Sequence, residues 1–168
     1  MSTTFYDLTI PVFIRGFENL SKLLAKGEAF ATEKGLDPAT LTSARLIEDM
    51  APLTAQIQRA SDSAKGFAVR VGGIANVAMA DEETSFADLQ ARIAKTVAFL
   101  ESVPRTAIDG KEDASVSLET PNRTFTFVGR EYALNFALPN FYFHVTTAYA
   151  LLRANGVPLV KMDYLGAS

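Results

Sequence analysis

The sequence has no cysteine and only one histidine, His144, among its 168 residues. The lack of cysteine excludes disulfide frameworks, thiol nucleophiles and cysteine-ligated metals. No stretch approaches 18 consecutive apolar residues, and the N-terminus has no basic segment followed by an apolar one. We therefore expect a soluble protein with neither an export signal nor a membrane span, and the cytoplasm is its default location.

The signatures of nucleic-acid binding, nucleotide binding and nucleophilic catalysis are missing as well. Lysine and arginine occur singly or in isolated pairs, and the net charge is −3. Nucleic acid is not expected as a partner, because neutralising phosphates needs a concentrated basic surface. No Gly-x-Ser-x-Gly motif occurs, and the glycine pair at 72–73 follows a helical pattern instead of the strand that a phosphate loop requires.

What the sequence does contain is amphipathic helices, and we predict four long ones. A chain of this length with 48% hydrophobic residues can bury one core, so we expect a single domain over residues 1–168. The first helix is predicted to end near Lys26. The third helix begins at a capping box formed by Ser85 and Asp88, and it ends before Pro104.

Apolar residues in steps of three and four mark the second and fourth helices. The second runs from Met50 to Val71, and Asp49 is predicted to cap its N-terminus. The fourth is predicted to open at Pro139 and to end at Gly156 in a left-handed cap. Its core stripe consists of Phe141, Val145, Ala148 and Leu152.

A small β-hairpin is predicted between the third and fourth helices, because apolar and polar residues alternate on either side of a turn at 120–123. Residues 104–113 have the composition of a loop, and the apolar tail at 157–165 is expected to fold back on the helices. Four apolar stripes bury each other most simply in a four-helix bundle, so the predicted class is all-α. The long connection between the first two helices permits a crossover topology.

Three segments carry a family resemblance: residues 49–53, residues 81–93 and, above all, residues 139–157. They resemble a bacterial and fungal family of unknown function that is grouped with the DinB-like four-helix bundles. The resemblance covers nearly the whole chain. It implies a DinB-like bundle and a homodimer, but no established activity.

In DinB-like proteins that bind metal, the resemblance implies three histidines, one near the start of helix two and a His-x-x-x-His pair on helix four. His144 matches the first member of the pair, Ala148 stands in place of the second, and Asp49 lies near the helix-two position. We predict no metal or other cofactor, because two of the three imidazoles are absent. A divalent ion bound here would have His144 and Asp49 as ligands and would need water or another carboxylate to complete its shell.

His144 lies at the edge of the helix-four core stripe and has three interpretations. It is a hydrogen-bonded structural residue, or it lines a ligand pocket or acts as an acid or base, or it ligates a metal. The candidate ligand-binding residues are His144 together with Asp49 and Gln56, which we place on one edge of helix two. Phe143 points away from the core stripe and is typical of a subunit contact.

These observations leave several hypotheses open. The first is a dimeric bundle of undefined activity, with a small-molecule pocket between helices two and four beside His144. The alternative is a DinB-like metal-dependent enzyme of the hydrolase or transferase type, in which His144 and Asp49 hold a divalent ion that activates a thiol or water. The second alternative is a protein-interaction module that works through the outer face of helix four. The sequence does not decide whether the protein is an enzyme.

Overall fold

The computed structural model describes residues 3–166 and has four long helices with one two-stranded sheet. The helices are α1 (Ile10–Lys34), α2 (Pro38–Thr42), α3 (Leu53–Gly72), α4 (Phe86–Glu101), α5 (Arg105–Ile108), α6 (Gly129–Glu131), α7 (Leu138–Ala154) and α8 (Lys161–Leu165). A π-helical segment, Tyr132–Ala137, joins α6 to α7. The antiparallel strands are β1 (Ser115–Glu119) and β2 (Thr124–Val128). The predicted all-α bundle and its hairpin insertion are confirmed.

The four long helices, α1, α3, α4 and α7, form a bundle in which α1 and α3 lie across the diagonal. Each of these two helices packs against both α4 and α7. The connection between them, residues 35–52, carries α2, which contacts α1 and α3. The first two long helices are therefore not direct neighbours, which is the crossover topology that the long connection permits.

Aromatic side chains of α1 and α7 meet in the core. The ring of Phe141 on α7 lies 5.1 Å from that of Phe13 and 5.0 Å from that of Phe17, centroid to centroid, in edge-to-face contacts. Such pairs stabilise a core by about 0.5–1.5 kcal/mol beyond their buried area. All four residues of the predicted α7 stripe are buried, so that stripe is confirmed.

The predicted end of the first helix near Lys26 is wrong, since α1 continues to Lys34. Gly27 lies inside the helix and faces α7, where a Cβ atom would come within 2.9 Å of Leu152 Cδ2. This glycine therefore permits close helix packing. The helix ends instead at Gly35, which adopts the left-handed conformation with φ of 64°.

The predicted cap of the second helix is also wrong. Asp49 lies in an exposed turn, Pro52 takes the N-cap position and α3 begins at Leu53. The reason is local, because a residue that precedes proline is pushed out of the helical region, and Ala51 precedes Pro52. By contrast, the capping box predicted at the start of the third helix is present in α4.

The helical stretch that ends in α7 begins earlier than predicted. Helical backbone starts at Gly129, ten residues before Pro139, and continues through the π-helical segment. The predicted loop at 104–113 contains the short helix α5. Gly156 has φ of 90°, so the predicted left-handed residue after α7 is confirmed.

The C-terminal tail folds back on α1, as predicted. Lys26 Nζ lies 2.6 Å from Asp163 Oδ1, and the Asn19 side-chain amide donates to the Tyr164 carbonyl oxygen at 3.2 Å. Within residues 3–166, no helix has the length and apolar character needed to cross a bilayer.

Candidate ligand-binding site

A cleft of about 280 Å³ opens between α3 and α7, beside the hairpin. Four of its lining residues are spaced four apart along one helical stretch: Tyr132, Phe136, Asn140 and His144. A step of four exceeds one turn of an α-helix, which has 3.6 residues, but falls short of one turn of the wider π-helix. The π-helical segment therefore keeps this row of side chains on the side of the cleft.

Polar residues of α3 form the facing wall, namely Arg59, Asp62, Ser63 and Arg70. Their spacing of three, four and eleven residues from Arg59 places them on one edge of the helix. Leu118 of β1 closes the cleft from the hairpin. The cleft thus lies between a polar edge of α3, a row of aromatic and polar side chains that ends in α7, and one apolar strand residue.

The His144 imidazole is fixed by a hydrogen bond at the inner end of the cleft. Its Nδ1 lies 2.8 Å from Gln56 Oε1, and Gln56 Nε2 donates to the Ala51 carbonyl oxygen at 2.9 Å. Because the amide nitrogen is used by Ala51, Gln56 offers an oxygen to the ring, and an oxygen only accepts. Nδ1 therefore carries the proton, and Nε2 is left with a free lone pair.

His144 Nε2 has no hydrogen-bond partner among residues 3–166, while the side chain as a whole is only 7% exposed. The ring lines the cleft, so this nitrogen is a hydrogen-bond acceptor that the fold orients but does not use. An oriented acceptor in a concave site is a typical ligand-recognition group.

Burial, and secondly the positive charge of Arg59, lower the pKa of His144 from its ordinary value of 6.5 to about 4. Both effects disfavour the imidazolium ion, the first by desolvation and the second by like-charge repulsion. The ring is therefore neutral near pH 7.

The depressed pKa of His144 has a measurable effect on stability. Between pH 6.5 and about pH 4, the unfolded chain binds a proton on this ring that the folded chain does not. The stability that the neutral ring contributes is thus complete above pH 6.5 and is lost as the pH falls to about 4. The quantity to follow is the difference in unfolding free energy between the wild type and His144→Gln. We expect this difference to fall by about 3 kcal/mol as the pH is lowered through this range.

Urea denaturation of both proteins from pH 7.5 to pH 4 measures this difference. Titration of the carboxylates is common to the two proteins and cancels in the subtraction. The His144→Gln variant is expected to fold at pH 7, because a glutamine amide can also donate to Gln56. A pH-independent difference between the two proteins would contradict the neutral, buried ring.

Two further hydrogen bonds order the walls of the cleft. Asn140 Nδ2 donates to Ser63 Oγ at 2.7 Å, which ties α7 to α3. Arg70 Nη1 donates to the Tyr132 hydroxyl oxygen at 3.0 Å. Burial raises the pKa of Tyr132, against the opposing influence of Arg70, so the phenol remains protonated at neutral pH. The cleft therefore presents fixed donors and acceptors next to an apolar wall.

The structure brings together two of the three residues predicted for this site. Gln56 contacts His144, but Asp49 lies in its exposed turn and does not line the cleft. Within residues 3–166, no hydrogen bond or ion pair joins Asp49 to His144. Sequence reasoning missed Asn140 and Tyr132. Counting back four residues from His144 finds Asn140, whereas Tyr132 reaches the cleft only because residues 132–137 are π-helical.

The side chains around His144 do not fit the metal that DinB-like relatives imply. Ala148 is fully buried and offers no ligand, and Gln56 provides only an amide oxygen, which already accepts from the ring. In the described part of the chain, no three His, Asp or Glu side chains gather in a group that could hold an ion. The positive charge of Arg59 further disfavours a cation here.

Comparison with known proteins places this fold in a class. The crystal structure of a DinB family member protein from Shewanella denitrificans at 1.83 Å resolution is similar, with 38% sequence identity and a TM-score of 0.89. The match covers 97% of this chain and 92% of that one. The protein is thus a DinB-like helical bundle, as the resemblance implied.

The particular family follows from the sequence. Residues 5–165 match the family described as Domain of unknown function (DUF1993), and the chain belongs to it. A search of curated proteins gave no significant match.

Proposed function

We propose that this protein binds a small organic molecule in the cleft beside His144. The observation that carries the proposal is the imidazole itself, which Gln56 holds in one tautomer while Nε2 has no protein partner. Nε2 is open to the cleft, because within residues 3–166 the only buried side-chain nitrogen or oxygen without a hydrogen-bond partner is Arg92 Nε. A ligand that donates a hydrogen bond to Nε2 would take the place of the solvent that meets it there.

The His144 imidazole also favours a binding role over acid–base catalysis. A pKa of about 4 makes His144 a weak base at neutral pH, whereas an efficient general base has a pKa near the working pH. The nearest cleft carboxylate, Asp62, is engaged in ion pairs with Arg92 and Lys65. The low pKa of His144 therefore favours a binding role over proton transfer.

A fragment screen by NMR tests this proposal. We expect neutral and charged fragments at about 1 mM to shift amide resonances of α3 and α7 around the cleft, together with the single imidazole. Replacing His144 with Phe keeps a ring but removes Nε2, so affinities should fall about tenfold, which corresponds to one hydrogen bond. The control is Lys22→Gln on the exposed face of α1, which should bind as the wild type does.

Two results would overturn the small-molecule proposal. The first is a screen in which no fragment shifts the cleft resonances. The second is a set of fragments that bind His144→Phe and the wild type equally well, because the imidazole would then take no part in recognition.

We also propose that the outer face of α7 forms a homodimer contact. Phe143 is 56% exposed, and with Tyr142 and Leu46 it lines an apolar groove of about 360 Å³. An exposed apolar groove can be covered by the same groove of a second copy about a two-fold axis. Light scattering at micromolar concentration should give twice the chain mass of 18.2 kDa, and Phe143→Ser should give the monomer mass. A monomeric wild type would rule the contact out.

A further inference from the structure

Two arginines in the cleft have no acidic partner. Arg59 and Arg70 both line it, and within residues 3–166 neither forms an ion pair. They lie on the same edge of α3, eleven residues apart, which is three helical turns. Two unopposed guanidinium groups in one cleft are unexpected on a chain whose net charge is −3.

The one carboxylate of the cleft does not neutralise these arginines. Asp62 Oδ1 lies 3.2 Å from Arg92 Nη2 and 3.3 Å from Lys65 Nζ. The ion pairs of Asp62 are thus made with Arg92 and Lys65, and none joins it to Arg59 or Arg70 within residues 3–166. The cleft lining itself carries two arginines against this one carboxylate.

Both arginines are placed where a ligand would meet them. Arg59 is close enough to His144 for its charge to lower the pKa of that ring. Arg70 Nη1 is held by the Tyr132 hydroxyl oxygen at 3.0 Å, on the opposite wall. The helical rise separates their Cα atoms by about 16 Å, so Arg70 can bind an acid group directly while Arg59 adds positive charge at the His144 end of the same cleft.

We propose that the ligand of this cleft is a small organic anion, with its acid group bound by Arg70 in the positive field that Arg59 strengthens, and with its apolar body against the hairpin side. This inference rests on the small-molecule site proposed above. Planar guanidinium groups bind carboxylate and phosphate oxygens through paired, charge-assisted hydrogen bonds.

The apolar wall and the space beyond it fit such a body. The Tyr132 and Phe136 rings are stacked, with centroids 5.7 Å apart and planes 18° apart, and Leu118 lies beside them in the wall. A second cleft of about 460 Å³ shares Asp62 and Arg70 with the first. Arg70 therefore lines both spaces.

Gly66 positions Arg70 for this role. The Arg70 guanidinium group lies across the helix at Gly66, where a Cβ atom would overlap Nη1. The three heavy atoms nearest to that Cβ position all belong to Arg70. An alanine here would displace the arginine side chain and nothing else. Because alanine favours a helix more than glycine does, the fold should not suffer.

The experiment compares benzoate with benzamide, which has the same body but no charge, by NMR titration of the full chain. The wild type should bind benzoate at least about tenfold more tightly than benzamide, and 0.5 M salt should reduce that preference. Arg70→Gln should abolish the preference. Gly66→Ala should reduce it while the melting temperature stays the same or rises, and the control Arg153→Gln, at the far end of α7, should change neither.

Phenyl phosphate, used as a third probe, distinguishes the two acid groups. Whichever anion binds more tightly identifies the headgroup. Equal affinity for benzoate and benzamide would overturn the anion inference and leave the small-molecule site standing. A preference for benzoate that survives both Arg70→Gln and Gly66→Ala would also overturn the anion inference, because other residues would then bind the negative charge. Loss of all fragment binding would instead count against the site itself.

Discussion

Replacing Ala60 with aspartate is expected to unfold the protein. Ala60 is fully buried near the middle of α3, the helix that packs against both α4 and α7. A carboxylate there would lose its hydration without gaining a partner, at a cost of several kcal/mol. A domain of this size is stable by only about 5–15 kcal/mol, so most of its stability would be lost.

Circular dichroism during heating measures the effect of the Ala60→Asp change. The matched control is Ala94→Asp, which makes the same replacement at an exposed position of α4. This control should cost less than about 1 kcal/mol, because only helix propensity changes. If Ala60→Asp melted at the same temperature as the wild type, α3 would not present this face to the core.

Replacing Arg92 with alanine is expected to lower the unfolding free energy by about 3–5 kcal/mol. Its side chain is 1% exposed and pins the connection at 73–85 to the bundle. Nη1 donates to Asp81 Oδ1 at 2.8 Å and to Glu83 Oε1 at 2.9 Å, and Nη2 reaches Asp62. Removing the cation would leave the Glu83 carboxylate, which is only 11% exposed, without its charge partner.

Urea denaturation of Arg92→Ala and Arg105→Ala separates a buried ion pair from a surface one. Arg105 also forms an ion pair, at 2.8 Å to Asp7, but its side chain is 51% exposed. Exposed ion pairs contribute about 0–1 kcal/mol, so Arg105→Ala should lower the unfolding free energy only slightly. If the two variants lost the same stability, the network around Arg92 would have no structural role.

The sequence predicted the fold well because helical periodicity reports burial directly. The steps of three and four through Ala60, and through Phe141 on α7, correctly identified residues that are fully buried. Errors fell at helix ends, where glycine and proline have more than one use. Gly27 serves close packing and not capping, and Pro52 prevents Asp49 from capping α3.

The candidate site was predicted less completely, for a different physical reason. Periodicity tells which face of one helix is buried, but not which polar edges of two helices meet. Arg59 and Asp62 lie off the core stripe of α3, where periodicity alone indicates solvated side chains, yet both line the cleft. The part played by Tyr132 depends on a π-helical segment and on the position of the hairpin, and neither follows from local sequence patterns.

The central claim is that His144 is a neutral imidazole, oriented by Gln56, with Nε2 available to a ligand. Because the chain has one histidine, nitrogen-15 NMR gives a single pair of ring signals to follow. We expect the tautomer protonated at Nδ1, a pKa of about 4, and a shift of the Nε2 signal when a cleft ligand binds. Protonation at Nε2 with titration near 6.5, unaffected by any ligand, would contradict that claim.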